Sequence, residues 1–192
     1  MNVAGASASL LELLKKRMVE RNGDLEEFSY DVLRTSEFTS GVSNQVALFL
    51  YRIDVDQTRR HIDLPPTQPS DPSRHALGLE LRYILTVWGT GSGAEREHQI
   101  LSQLVEILDQ DAIIAGDLLH PDFEWDEGDA LKVSLESLTN EDMLRLWDAF
   151  EPPYQLSVPY LVRTMRLSPV QRASTPPVDT RTNVYVPAVP PS

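Results

Sequence analysis

Residues Leu77 to Trp88 alternate between apolar and other side chains more regularly than any other stretch of this chain. Because successive side chains of a β-strand point to opposite faces, every second position falls on the same side of the strand. That side carries the apolar set Leu77, Leu79, Leu81, Tyr83, Leu85 and Val87. This is the longest strand predicted in the sequence, and we expect it to belong to a sheet that packs against helices.

Three segments have the apolar periodicity of amphipathic helices. The first covers residues 3 to 20, ends at Asn22–Gly23, and has the stripe Leu10, Leu11, Leu14 and Met18. The second runs from about Ala94 to Leu108, with the predicted buried stripe Ile100, Leu101, Leu104, Ile107 and Leu108. The third runs from about Glu141 to Phe150, and Thr139 and Asp142 form a capping box at its start.

Four further segments have the composition of strands: Glu27–Arg34, Val46–Ile53, Leu131–Leu135 and Val158–Leu167. The second contains VALFLYRI, which is so continuously apolar that we expect both of its faces to be covered. After it, residues 54 to 74 contain charges and four prolines, which predict an exposed connection. The predicted fold class is therefore α/β, or α+β, with a mixed, largely antiparallel sheet packed with helices.

The globular domain is predicted to span residues 1–167, and residues 168–192 are predicted to form an extended proline-rich C-terminal arm. The arm is too poor in apolar side chains to add a core, so we expect it to be mobile in the free protein. Its β-prone run is Val184, Tyr185 and Val186, between an asparagine and a proline. This run is long enough to pair with one exposed strand edge.

Composition narrows the classes of function. The 17 basic and 29 acidic residues give a net charge of -12, which disfavours nucleic acid as a partner. The acidity serves either solubility or the recognition of a basic partner. No window is long and apolar enough for a transmembrane segment, and the basic residues at 15–17 follow the first apolar run, so general secretion is not expected. The absence of cysteine excludes thiolate chemistry.

The loop after the long strand contains Gly89, Gly91 and Gly93 and is placed like a phosphate-binding turn. Its spacing is G-x-G-x-G instead of G-x-G-x-x-G, and no phosphate-loop lysine follows. Ser92 and Glu95 form a capping box that explains the loop as a turn and helix cap. We therefore predict no bound cofactor; a small nucleotide-binding protein or enzyme that uses Gly89–Gly93 is the alternative.

No group of residues predicts catalysis or metal binding. Glu95 and His98 have an E-x-x-H spacing but lack the second pair that a di-iron bundle needs. DFEWDEGD begins like a calcium loop, yet Gly128 comes one residue late and Val133 stands where the closing glutamate is needed. The other histidines lie in loops, and no serine has the context of a nucleophile. We predict neither catalytic residues nor a metal site.

Aromatic residues near the ends of predicted elements are candidate contacts for a partner: Trp88, Trp147, Tyr154 and Tyr160. Large aromatic side chains in such positions serve either as anchors for a partner or as the edge of the core. The candidate partner-binding residues are Trp147, Tyr154 and Tyr160, together with Val184, Tyr185 and Val186 of the arm.

Several segments occur in an order that resembles a known family: VALFLYRI, LELRYILTVWG, HQILSQLVEIL and, most specifically, SLTNEDMLRLW followed by PPYQLSVPYLVR. The family is the N-terminal domain of the tail-terminator, or cap, proteins of extracellular contractile injection systems, the phage-tail-like particles of the antifeeding-prophage and virulence-cassette type. The resemblance spans roughly residues 5 to 167. Relatives often continue into a further C-terminal domain, whereas this sequence ends at Ser192.

The resemblance implies a structural protein and not an enzyme. It implies a homo-oligomer, a hexameric ring that contacts the last rings of sheath protein and inner tube protein, stops their polymerisation and closes the distal end of the particle. Such a ring needs a heterologous subunit interface, and strand addition is the natural way to occupy exposed edges. Assembly is expected in the cytoplasm, before the protein becomes part of an injection particle. An adaptor that acts through the proline-rich arm is a further alternative.

Overall fold

The structure is a computed structural model that describes residues 3–22, 28–38, 44–56, 78–89, 93–126, 128–150 and 154–166. The helices in these ranges are α1 (Val3–Asn22), α2 (Gly93–Gln110) and α3 (Asn140–Trp147). The strands are β1 (Ser29–Val32), β2 (Gln45–Val55), β3 (Leu79–Trp88), β4 (Ile113–Ala115), β5 (Asp129–Leu135) and β6 (Ser157–Arg166). Short 3-10 turns follow β1 at Thr35–Glu37 and β4 at Gly116–Leu118.

The six strands form one sheet in the order β1-β2-β3-β6-β5-β4. β1 runs parallel to β2, and the other neighbouring pairs are antiparallel. The long strand β3 lies inside the sheet, paired with β2 on one side and β6 on the other. The predicted fold class, a mixed and largely antiparallel sheet packed with helices, is confirmed for the described residues. The proline-rich arm, residues 168–192, lies outside them.

Helices α1 and α2 cover one face of the sheet. The alternating residues Leu81, Tyr83, Leu85 and Val87 of β3 are at most 1% exposed and share one core with the apolar stripes of both helices. The stripe predicted for α2 is buried as expected. Because apolar burial is the main favourable contribution to folding, this helix-covered core is the principal stabilising layer of the domain.

Helix α3 covers part of the opposite face through an aromatic cluster, which comprises Phe38, Phe49, Trp88, Trp147 and Phe150. The Phe38 and Phe150 rings stack with centroids 4.6 Å apart, and Phe49 meets both rings edge-on. The predicted cap of this helix is confirmed, since Thr139 Oγ1 accepts a hydrogen bond from the Asp142 amide at 3.1 Å. The central strands are therefore covered on both faces here.

Buried hydroxyl groups join α1 to the sheet and to the loop after β4. Ser7 Oγ and the Tyr83 hydroxyl are 2.8 Å apart, and burial raises the pKa of Tyr83 to about 12 against the opposing effect of this hydrogen bond. Ser9 Oγ donates to the carbonyl of Gly5 and accepts from the amide of His120, both at 2.8 Å. These bonds satisfy polar groups that would be costly to bury alone and thereby fix the position of α1.

Some details of the sequence prediction are corrected by the structure. In α1, Leu13 is buried in the stripe, whereas the predicted member Leu11 is only partly buried. The strand β4 was not predicted. In β2, both faces are covered from Val46 to Leu48 as expected, but Ile53 near the end of the strand is 49% exposed. The connection predicted for residues 54–74 begins later than expected, because β2 continues to Val55, and its residues 57–74 lie outside the described residues.

Truncation of Leu104 to alanine should destabilise the domain strongly. Leu104 is fully buried in the helix-covered core, and removal of such a side chain typically costs about 2–5 kcal/mol through lost burial and the cavity that remains. The free energy of unfolding, measured by urea denaturation, provides the test. The matched control is Gln99→Ala on the exposed side of the same helix, which should stay within about 0.5 kcal/mol of the parent protein. Equal effects of the two variants would contradict the assignment of this core.

Candidate functional site

The backbone amide of Gly89, the first glycine of the loop, takes part in a hydrogen-bond network within the chain. The amide of Gly89 donates to Oε1 of Glu97 at 2.8 Å, and Gln155 Nε2 donates to Oε2 of the same carboxylate at 2.9 Å. The Gln155 amide also donates to the carbonyl of Val87 at 2.7 Å. A carboxylate in this position accepts the hydrogen bond of the Gly89 amide and repels a negatively charged ligand. Ser92 of the predicted capping box lies outside the described residues.

The other sequence motifs do not converge on a chemical site within the described part of the chain. No group of three or more potential metal ligands is present among these residues. Glu95 and His98 are exposed on α2, and His120 lies in the loop between β4 and β5. The described residues also contain no helix that is long and apolar enough to cross a membrane.

A network of ion pairs covers the part of the second sheet face that α3 leaves open. Arg82 is its centre, with its guanidinium 3.0 Å from Asp54 and 3.2 Å from Glu80, and it also pairs with Glu136. Arg163 binds the other oxygen of Glu80 at 2.9 Å. Arg52 lies 2.8 Å from Asp54 and completes three arginines against three carboxylates. The charges of this network therefore balance, and it has no excess of charge with which to attract a ligand.

The network is held by hydrogen bonds as well as by charge. Partial burial raises the pKa of Asp54, but the hydrogen bonds from Arg82 and Arg52 outweigh this effect and hold the pKa below its usual value. The Tyr51 hydroxyl donates to Oε2 of Glu136 at 2.8 Å. The register of β2 against β3 shifts between Leu50 and Arg52, which brings Arg52 opposite Arg82 and Asp54 opposite Glu80. We interpret this network as a structural cover of the sheet.

The two edges of the sheet, β1 and β4, are candidate surfaces for contact with another chain. Neither strand has a described neighbour on its outer side. Each edge carries an exposed apolar side chain: Val32 is 40% exposed and Ile113 is 51% exposed. An open edge presents backbone donors and acceptors in a row, which is the chemistry that strand addition uses. Both edges are short, so each can accept only a few residues.

The hydrogen-bond pattern shows which groups of β4 face outward. The amide of Val133 in β5 donates to the carbonyl of Ala112 at 2.8 Å. Because bonded positions alternate along an antiparallel pair, Ile114 bonds to β5, while the amides and carbonyls of Ile113 and Ala115 point away from it. The outer side of β4 therefore offers backbone groups from two residues together with the Ile113 side chain.

The aromatic residues predicted as partner contacts lie in different environments. Trp147 and Tyr160 are each 3% exposed and belong to the two cores, with their indole and hydroxyl groups lacking a hydrogen-bond partner in the described structure. Tyr154 is 48% exposed and its ring contacts that of Trp147 edge-on at 5.9 Å. Tyr154 is thus the accessible member of the three, and their role in binding stays a prediction.

The remaining candidate contacts are the predicted arm residues and two edge residues that were not predicted. Val184, Tyr185 and Val186 lie outside the described residues. The edge residues Val32 and Ile113 were missed by sequence reasoning, because a strand edge depends on strand order and β4 has only three residues. The apolar pair Ile113–Ile114 after the second helix was the available signal for β4.

Comparisons with known proteins identify the fold and family. Residues 5–181 match the family described as the Pvc16 N-terminal domain. One similar solved structure is the PVC sheath/tube terminator of an extracellular contractile injection system in the extended state, with a TM-score of 0.55 and 16% identity over 98% of this chain. Another is the anti-feeding prophage cap, a tube terminating cap, with a TM-score of 0.52 and 14% identity over 96% of this chain.

This chain corresponds to only part of each of the two similar structures. The chain spans 65% of the length of the PVC terminator and 62% of the length of the anti-feeding prophage cap. No curated protein gives a significant match. The likeness to the two solved structures establishes the fold, and the match over residues 5–181 covers most of the sequence. The chain therefore belongs to the Pvc16 N-terminal domain family.

Proposed function

We propose that this protein is a structural cap of a contractile injection system, which ends the polymerisation of tube and sheath and closes the distal end of the particle. The observation that carries the proposal is the family match over residues 5–181. The two similar structures, which are a sheath/tube terminator and a tube terminating cap, support it. The proposed partners are the sheath protein, the inner tube protein and further copies of this chain in a hexameric ring.

The arrangement of the sheet edges supports assembly into a closed ring. β1 and β4 lie at opposite ends of one sheet and differ in sequence and pairing. Contacts made through two different edges are heterologous, and repeated heterologous contacts close into a ring when the rotation between subunits allows it. We propose that strand addition at these edges joins the cap subunits to one another or to the sheath.

The proline-rich arm predicted for residues 168–192 is suited to strand addition at these edges. Val184, Tyr185 and Val186 form a β-prone run of three residues, and the edges have four residues in β1 and three in β4. A strand this short satisfies one edge and does not continue the sheet further. We propose that assembly takes place in the cytoplasm and that the protein then remains in the injection particle.

A test of the edge contacts is substitution of exposed apolar residues by lysine. Charged side chains on an edge strand disfavour pairing with another chain, so Val32→Lys or Ile113→Lys should reduce the fraction of tails that carry a cap. Leu144→Lys on α3 is the matched control, because Leu144 is an exposed apolar side chain on a helix and belongs to neither edge strand. Cap occupancy is measured by electron microscopy of assembled particles.

The ring itself is tested in the same preparation. Native mass spectrometry and microscopy should show a closed hexamer at the distal end when tail components are present, even if the free protein is monomeric. A stable dimer as the assembled form, without density at the distal end, contradicts the cap proposal. If all tails carried a cap in both edge variants, the proposed ring would stand, but strand addition at these edges would be refuted as the contact.

Removal of residues 172–192 should leave the domain folded but weaken attachment of the cap, because the arm then lacks its β-prone run. The expected result is a broader distribution of tail lengths or caps that are easily lost, measured by microscopy of particles from a truncated strain. Replacement of Val184, Tyr185 and Val186 by glycine keeps the length of the arm and should have the same effect. Tail lengths as narrow as in the parent strain, with full cap occupancy, would make the arm dispensable.

The glycine loop should bind no nucleotide, since the carboxylate of Glu97 already occupies the amide of Gly89. Isothermal titration calorimetry with ATP, GTP and NAD is expected to give no heat of binding. Binding in the micromolar range that disappears in Gly91→Val would instead support the alternative, a nucleotide-binding protein or enzyme.

A further inference from the structure

A groove lies at one end of the sheet, between the turn after β4 and the loop that leads to β5. Its volume is about 670 Å³. Its walls contain the apolar side chains Leu119, Pro121, Phe123 and Trp125, and its rim contains Asp117, Asp126 and Asp129. A groove with proline and aromatic walls suits an extended, proline-containing segment, because such a segment has little conformational entropy to lose on binding.

The aromatic wall is held rigidly in place. The indole of Trp125 donates to the carbonyl of His120 at 2.9 Å, and the amide of His120 donates to Ser9 in α1 at 2.8 Å. Gly5 of α1 approaches so closely that a Cβ atom at this position would lie 2.9 Å from the Trp125 ring and 3.1 Å from Phe123. The groove therefore exists before anything binds to it, which reduces the free-energy cost of binding.

The end of β6 brings the chain to this groove. Arg166, the last residue of β6, lies opposite Asp129 in the strand register, and Asp129 is part of the rim. The sequence that follows, LSPVQRASTPPVDTR, contains three prolines and the basic residues Arg172 and Arg181 against one acidic residue, Asp179. This segment is net positive, whereas the rim is acidic, so the two surfaces are complementary in charge.

We propose that residues 167–181 bind in this groove of the same chain, with prolines against Phe123 and Trp125 and arginine facing the acidic rim, so that only the later part of the arm would have the mobility expected from its composition. The match to the family continues to residue 181, beyond the end of β6 at Arg166, which supports a role for this segment within the domain. Docking would fix the point from which residues 182–192 leave the domain, beside β4 and β5. This inference does not depend on the proposed cap function.

The test uses paramagnetic relaxation in the full chain. The protein has no cysteine and three tryptophans, so one introduced cysteine can be labelled selectively and three indole signals can be followed by ¹⁵N NMR. A nitroxide at Ser174→Cys should remove most of the Trp125 signal and leave Trp88 and Trp147 nearly unchanged. The same label at Ser192→Cys should spare all three. Asp117→Lys, an exposed rim change, should restore much of the Trp125 signal in the Ser174→Cys protein.

The outcomes separate the proposal from its alternatives. Equal intensities of the three indole signals with the label at position 174 would overturn it. Broadening of Trp125 in a mixture of labelled unenriched protein and unlabelled ¹⁵N protein would show that the occupant is a second copy and would also overturn it. Broadening that Asp117→Lys and added salt leave unchanged would contradict the proposed charge complementarity.

Discussion

The domain depends on strand β3, which is hydrogen-bonded on both sides and covered on both faces over much of its length. One face of β3 is sealed by α1 and α2, and the other is covered by α3 at the Trp88 end and by ion pairs at the Glu80 end. Its neighbours β2 and β6 are therefore placed by β3 itself, and β5 and β1 by those neighbours. The positions of the outer edges follow from this central strand.

The second face shows two ways to cover a sheet. At one end, stacked aromatic rings exclude water and contribute apolar burial. At the other end, Arg82 joins carboxylates from three segments of the chain, and the arginine stems cover the strand while the charged groups stay partly in water. Removal of one member of such a partly buried network leaves its partner charge unpaired. The network therefore stabilises the fold only when all of its members are present. This end of the face therefore stays polar.

The fold was predictable from sequence where a local pattern decides the structure. The alternation in β3, the stripe of α2 and the cap at Thr139 each depend on residues at most four positions apart in the sequence. Each of these features was predicted correctly. The candidate site was much less predictable, because an edge is defined by strand order, which is set by contacts between distant residues. The ion-pair network likewise depends on the register shift after Leu50, and no local sequence pattern predicts that shift. For the same reason, the partner of the Gly89 amide could not be foreseen from glycine spacing alone.

Short edges are physically consistent with a protein that ends an assembly. A long, flat edge can template one strand after another, whereas an edge of three or four residues accepts a brief partner and offers little beyond it. The β-prone run in the arm is equally short, so a contact between them would be weak on its own. Six such contacts in a closed ring would act together, since each one raises the effective concentration of the next. Under the proposed function, ring closure and not the strength of any single edge would therefore make termination stable.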